Sequence, residues 1–221
     1  MCSAPDGLPL QVAPAVPVAG VVLAAGSGAR MGRIKQLLPF KGAPLLAHVV
    51  VSARGAGLQP VIVVLGHHAA RIRREVDLAG TRVVINPNYR CGQSTSLVRG
   101  LEAVPSACRA ALFLLGDQPL VSPGLIARIV ARYRRTRAPV VLPTFRGRRG
   151  NPVLIDRSLF ARLAGLSGDQ GARGLFREYA GRIERVAVDD PGIHLDVDTW
   201  QDYQDLLQAP ETRSPLGVKN G

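Results

Sequence analysis

The chain has 221 residues, 47% of them hydrophobic and 20% charged, which suits a globular domain with a proper core and excludes disorder for the bulk of it. No apolar run approaches the ~20 residues of a membrane span. The formal net charge is +12, yet only three of the 28 basic residues are lysines and aromatics are 5%; an arginine bias of this kind reflects GC-rich coding and argues against a specific nucleic-acid partner.

Residues 1–17 carry Pro5, Pro9, Pro14 and Pro17 and read as a flexible leader, without the basic start or continuous apolar stretch of a signal peptide. Residues 18–24 (VAGVVLA) are a β-branched apolar run of the kind buried in a parallel sheet. A glycine-rich loop follows, then helical spacing over 43–56. A second buried strand at 60–65 precedes a charged helix at 68–77, and a third strand at 82–85 closes on the turn Asn86-Pro87-Asn88. Residues 94–103 open on hydroxyl side chains placed as N-caps and read as a helix. The fourth strand, 110–115, ends in Gly116-Asp117-Gln118-Pro119. Ser122 with Pro123 behind it forms the cap and first turn of a helix to about residue 135. Strands at 139–142, 152–155 and 182–188 and a helix at 200–207 complete a domain spanning 18–208, with a disordered tail at 209–221. Strands alternating with helices predict a three-layer α/β/α fold with a mostly parallel sheet. Ligands of such sheets lie at the carboxyl ends of the strands, so the residues after the first and fourth strands matter most.

Charge is unevenly placed. Between Gly7 and Arg74 there is no Asp or Glu, while Asp189, Asp190, Asp196, Asp198, Asp202 and Asp205 crowd one late segment. A cationic front half suits a polyanion, and late carboxylates suit a metal. Arg128, Arg132 and Arg135 read instead as a solvated helix face. The three cysteines (Cys2, Cys91, Cys108) lack C-x-x-C spacing, which excludes a structural zinc site and makes a reducing cytoplasm the default.

After the first strand comes Leu23-Ala24-Ala25-Gly26-Ser27-Gly28-Ala29-Arg30-Met31-Gly32, then Lys35. Its glycines can present N–H groups to phosphate oxygens. It is no dinucleotide fingerprint, because the third glycine is displaced and no acid stands ~20 residues on. It is no P-loop, because Arg33-Ile34-Lys35 follows Gly32 in place of Lys-Ser/Thr.

The longer string L-A-A-G-x-G-x-R-M-G-x-x-K, continued by Q-L-L-P-F-x-G-x-P-L-L, resembles the signature of nucleoside-triphosphate transferases that activate sugars, isoprenoid precursors and molybdopterin. Gly92-Gln93-Ser94-Thr95-Ser96-Leu97, Leu114 to Pro119, Gly150-Asn151-Pro152-Val153, Gly168 to Arg173 and Asp196-Val197-Asp198-Thr199 resemble the molybdenum cofactor cytidylyltransferase branch. The resemblance implies a modified Rossmann-type sheet and a cytoplasmic enzyme that transfers CMP from CTP to the terminal phosphate of molybdenum-loaded molybdopterin. It implies that Leu23, Ala24, Ala25, Gly26, Ser27, Gly28, Lys35, Ser94, Gly116 and Asp117 line the nucleotide, and that Lys35, Arg30 and Asp117 carry catalysis. Asp117 and Asp198 would hold Mg2+, with Asp196 as the alternative second carboxylate. Gln93, Ser96, Arg149 and Asn151 would face the acceptor, and a molybdoenzyme or its maturation chaperone would receive the product. Two departures bear on this reading. Asn151 stands where the branch has His and cannot titrate near neutrality. Ala24-Ala25-Gly26 replaces the L-A-G-G of guanylyl-transferring relatives, which favours cytidine; a guanylyltransferase or a transferase with another acceptor is the alternative.

Overall fold

The computed structural model describes residues 16–26, 31–165 and 173–208. Ser27, Gly28 and Arg30, most of the 168–173 motif, the expected leader to residue 15 and the tail from 209 lie outside the described residues.

The apolar runs become the strands of one sheet. β1 (Val18–Ala24) lies between β4 (Val61–Leu65) and β6 (Ala110–Leu115), with β5 (Arg82–Ile85) beyond β4. On the other side follow β9 (Val153–Asp156), β7 (Val140–Phe145) and β10 (Ile183–Ala187), with the short β8 (Arg148–Arg149) folded back on β7. β1 pairs in parallel with both neighbours, Ala24 opposite Leu65 and Leu23 opposite Leu115, so three strands finish at one level. The expected sixth strand is reversed. β9 runs antiparallel to β6 and to β7, which its Val-Leu-Ile pattern does not reveal, since both faces are buried either way.

Alternate strand residues feed two cores. Val22, Val63 and Leu112 meet α1 (Leu45–Gly55) and α4 (Pro123–Thr136) on one face. Val21, Ile62 and Phe113 meet α3 (Gln93–Glu102) and α5 (Phe160–Ala164) on the other. α2 (Ala69–Glu75) buries only Ile72, and α6 (Arg173–Glu178) follows the undescribed stretch. Ser122 caps α4 as expected, its hydroxyl accepting from Leu125 N at 3.2 Å. The hydroxyls of residues 94–96 do not cap α3, which starts at Gln93 behind Gly92. The helix expected from residue 43 begins two residues later, because 39–44 fold into a hairpin of β2 (Pro39–Phe40) and β3 (Ala43–Pro44). α7 (Trp200–Leu207) packs Tyr203 and Leu206 against Phe40, Leu45 and Leu120 in a third cluster. Among the described residues no helix is long and apolar enough to cross a membrane.

Candidate active site

Two glycines draw the ends of β4 and β6 in around the end of β1. A Cβ on Gly116 would stand 2.9 Å from the Ala24 Cβ, and one on Gly66 would stand 2.8 Å from the Ala25 carbonyl oxygen. Gly116 N donates to Leu23 O at 2.9 Å and His67 N to Ala25 O at 3.3 Å. Gln36, only 2% exposed, donates Nε2 to the carbonyls of Ala24 and Gly26 at 3.2 Å each. The path of the expected nucleotide-lining stretch Leu23–Gly26 is therefore fixed by its own carbonyls.

Lys35 begins a single 3-10 turn beside this stretch. Its ammonium donates to Asp117 Oδ2 and, at 2.8 Å, to Asp198 Oδ1, joining three positions far apart in the chain. Burial works against the charge of Lys35, but Asp117 and Asp198 outweigh it and hold its pKa above the ordinary lysine value. The Lys35 and Asp117 side chains are 14% and 15% exposed, and that of Asp198 49%. Among the described residues, Asp117 Oδ1 is buried with no partner. An unmatched buried acceptor costs ~1–3 kcal/mol, and a cation can satisfy it. Two carboxylates meeting on one positive group are the donor set of a hard divalent ion, whose other positions fall to water or phosphate oxygens. No group of three His, Cys, Asp or Glu placed to hold a metal gathers among the described residues.

The late acidic segment is not a strand. A 3-10 turn at Pro191–His194 leads into irregular chain that carries Asp196, Val197 and Asp198. Asp196 points to Gln118, whose Nε2 donates to its Oδ1. Burial first, then the charges of Asp117 and Asp198, push its pKa up to about 6. It is Asp198 that shares the Lys35 ammonium with Asp117. Val197 N donates to Asp117 O at 3.3 Å. On the other side Asp202 accepts from Asp198 N at 3.0 Å and from Thr199 N at 2.7 Å, completing a capping box at the start of α7.

The four expected acceptor residues fall in two places. Gln93 and Ser96 stand at the head of α3, which lies over β1 and β4. Ser96 is turned inward, 5% exposed, accepting from Asn86 Nδ2 at 2.9 Å. Ser94 is likewise buried. Arg149 ends β8 and Asn151 stands two residues before β9, on the side of β6 away from β1. The Arg149 guanidinium lies 5.0 Å over the Phe176 ring, and Asn151 N donates to Ile193 O at 3.2 Å. Nor is the basic face of α4 simply solvated. Arg128 donates to Ala187 O at 2.8 Å and Arg132 pairs with Glu184 at 3.4 Å, tying α4 to β10. Gln36, Asn86, Gln118 and Asp202 all stand in motifs or segments visible in the sequence, but none is given an individual role there.

The sequence profile of the MobA-like NTP transferase domain matches residues 20–184. A nicotine blue oxidoreductase of Paenarthrobacter nicotinovorans is 32% identical, over 86% of this chain and 96% of its own. The crystal structure of Rv0371c from Mycobacterium tuberculosis H37Rv superposes with a TM-score of 0.81 at 34% identity, covering 89% of this chain and all of that one (100%). A manganese complex of the same protein superposes with a TM-score of 0.77, at 34% identity over 88% of this chain and 100% of that one. Lys35 and Asp117, two of the three charged groups that meet at this site, lie within the matched residues. The chain belongs to the MobA-like NTP transferase family.

Proposed function

We propose that the protein transfers CMP from CTP to the terminal phosphate of molybdenum-loaded molybdopterin, releasing diphosphate. The observation that carries the nucleotidyl-transfer reading is the convergence of Asp117 and Asp198 on the Lys35 ammonium beside the β1 loop. In this reading an acceptor phosphate oxygen forms a bond to the α-phosphorus as the bond to the diphosphate oxygen breaks. The nucleophile is already an anion at neutral pH, so no side chain need take a proton. The difficulty is repulsion between two polyanions, which aimed cations relieve. Lys35 leaves its carboxylates to grip phosphate oxygens as a compact charge, and Arg30 neutralises the departing diphosphate. Asp117 and Asp198 would hold Mg2+, which supplies positive charge to the α-phosphate. Leu23, Ala24, Ala25, Gly26, Ser27, Gly28, Ser94 and Gly116 form the nucleotide side, and Gln93, Ser96, Arg149 and Asn151 the acceptor side.

Cytidine is supported by the Ala24-Ala25-Gly26 stretch, which stands where guanylyl-transferring relatives have L-A-G-G. Guanylyl transfer, or transfer to another phosphorylated acceptor, is the competing reading. A cytoplasmic site and delivery to a molybdoenzyme or its chaperone belong to the same proposal. The test is diphosphate release with each of the four NTPs, with and without molybdopterin, in Mg2+. Release with CTP that depends on molybdopterin is the expected result. A preference for GTP would overturn the base assignment. The oxidoreductase name of one relative adds a control: consumption of NADH or NADPH in place of diphosphate release would overturn nucleotidyl transfer itself.

A further inference from the structure

Asp117 is placed by the sheet, since it follows β6 directly. Asp198 is not. It lies in irregular chain, its side chain half exposed, and needs other means to stand opposite Asp117. Those means begin with Gln118, which is 1% exposed and donates both to Asp196 and, at 3.4 Å, to Ile193 O. One residue along, Val197 N donates to Asp117 O at 3.3 Å, so residues 117–118 and 196–197 are cross-linked twice. The Ile193 carbonyl also accepts from Asn151 N at 3.2 Å, so the segment held by Gln118 carries the acceptor-side loop as well.

We propose that Gln118 and Asp196 are positioning residues, whose half-buried contact sets the spacing of the Asp117–Asp198 carboxylate pair and thereby its capacity for a divalent cation. This rests on the nucleotidyl-transfer reading above. The choice of an acid for the inner position argues for it. Asp196 is half-buried beside the charges of Asp117 and Asp198, with Lys35 as the compensating cation. For packing alone, an apolar or neutral side chain would be cheaper there than a third carboxylate. What the acid provides is a strong, directional acceptor for the Gln118 amide, which fixes the main chain two residues before Asp198.

The test measures binding of Mn2+ alone to the full chain by electron paramagnetic resonance, with the unfolding temperature and the nucleotide kcat and KM followed in parallel. Gln118→Leu and Asp196→Ala should each weaken Mn2+ binding about tenfold and lower kcat more than they raise KM. The double variant should lose no more than the worse single one, because both remove one contact. Asp196→Asn keeps an oxygen for Gln118 to donate to and should stay within about threefold of wild type. Two results would overturn the proposal: unchanged Mn2+ affinity in Gln118→Leu and Asp196→Ala, whatever their stability, or an Asp196→Asn variant as impaired as Asp198→Asn, which would make Asp196 a ligand. Asp117→Ala is the reference. If it loses Mn2+ while Gln118→Leu and Asp196→Ala do not, only the positioning role falls. If it too binds Mn2+ like wild type, the carboxylate pair is not the metal site and the chemistry proposed above falls with it.

Discussion

The two ends of the sheet treat their polar groups in opposite ways. At the amino end of β6 the polar groups around Tyr133 are matched, and among the described residues the unmatched buried atoms away from the carboxyl end are His48 Nδ1 and Ser52 Oγ in α1. The buried Tyr133 hydroxyl donates to Asp156 Oδ2 at 2.6 Å and lies 3.1 Å from Arg109 O, while Asp156 Oδ1 accepts from Ser158 N at 2.9 Å. Arg157 donates to the carbonyls of Pro105 and Cys108, the latter at 2.6 Å. At the carboxyl end, among the described residues, Asp117 Oδ1, Gln118 Oε1 and His67 Nδ1 are buried without partners. Buried polar groups are nearly always matched, so a cluster of exceptions at the ligand-binding edge marks capacity held for something that arrives from outside. One end holds matched pairs and the other the charged groups of the candidate site.

Substitutions can break that division. The largest effect is expected at Asp117. Asp117→Ala should lower turnover by at least roughly 10²–10³ while leaving the unfolding temperature within a few degrees. A variant with half of wild-type turnover in Mg2+ would remove Asp117 from the reaction. Next comes Lys35→Met. Loss of a charge-assisted phosphate contact is worth ~1.5–3 kcal/mol, or about 10–150-fold in nucleotide affinity by calorimetry. The same variant should bind Mn2+ more tightly than wild type when no nucleotide is present, because the ammonium competing for Asp117 and Asp198 is gone. Weaker Mn2+ binding would show that Lys35 holds the site together instead of occupying it.

At the matched end the effect should be on stability alone. Tyr133→Phe should cost ~1.5–3 kcal/mol in denaturant unfolding, with kcat unchanged. Burial opposes the charge of Asp156, but the hydrogen bonds from Tyr133 and Ser158 outweigh it and hold its pKa below the ordinary carboxylate value. A depressed carboxylate stabilises the fold above its unfolded pKa and loses that contribution as pH falls through the folded one. Stability should therefore fall less steeply on acidification in Tyr133→Phe than in wild type. An equally steep acid branch would dissociate Asp156 from Tyr133. The smallest change is expected for Ala25→Gly. Removing one methyl group should relax discrimination against GTP by ~1–3 kcal/mol at most, read as the ratio of kcat/KM for CTP and GTP.

The matched and unmatched ends were not equally legible in the sequence. Asp117 and Lys35 could be found because each sits beside a strand-end or loop motif whose chemistry is local. Apolar runs announced β1, β4 and β6, and Ser122-Pro123 announced α4. The direction of β9 was hidden, because a fully buried Val-Leu-Ile run looks the same either way round. Gln118 was read only as part of a turn, since its partner Asp196 lies 78 residues away and nothing local predicts that contact. Asp196 and Asp198 sit in one short motif, and only the folded chain separates the inward carboxylate from the one that meets Lys35.

The reversal of β9 has a consequence for how this enzyme could change its substrate. Because β7 leaves the sheet and β9 re-enters it at the same edge, the residues from Arg146 to Pro152 form a short excursion closed at both ends by neighbouring strands. A parallel strand would have required a crossover through the body of the protein. Residues 148–151 are tied down by β8 pairing and by hydrogen bonds to Pro143 and Ile193, which leaves the Arg146-Gly147 turn as the part open to change. On the acceptor-side reading proposed above, substitutions in that turn could alter acceptor preference without disturbing the register of the sheet or the groups around Lys35 and Asp117.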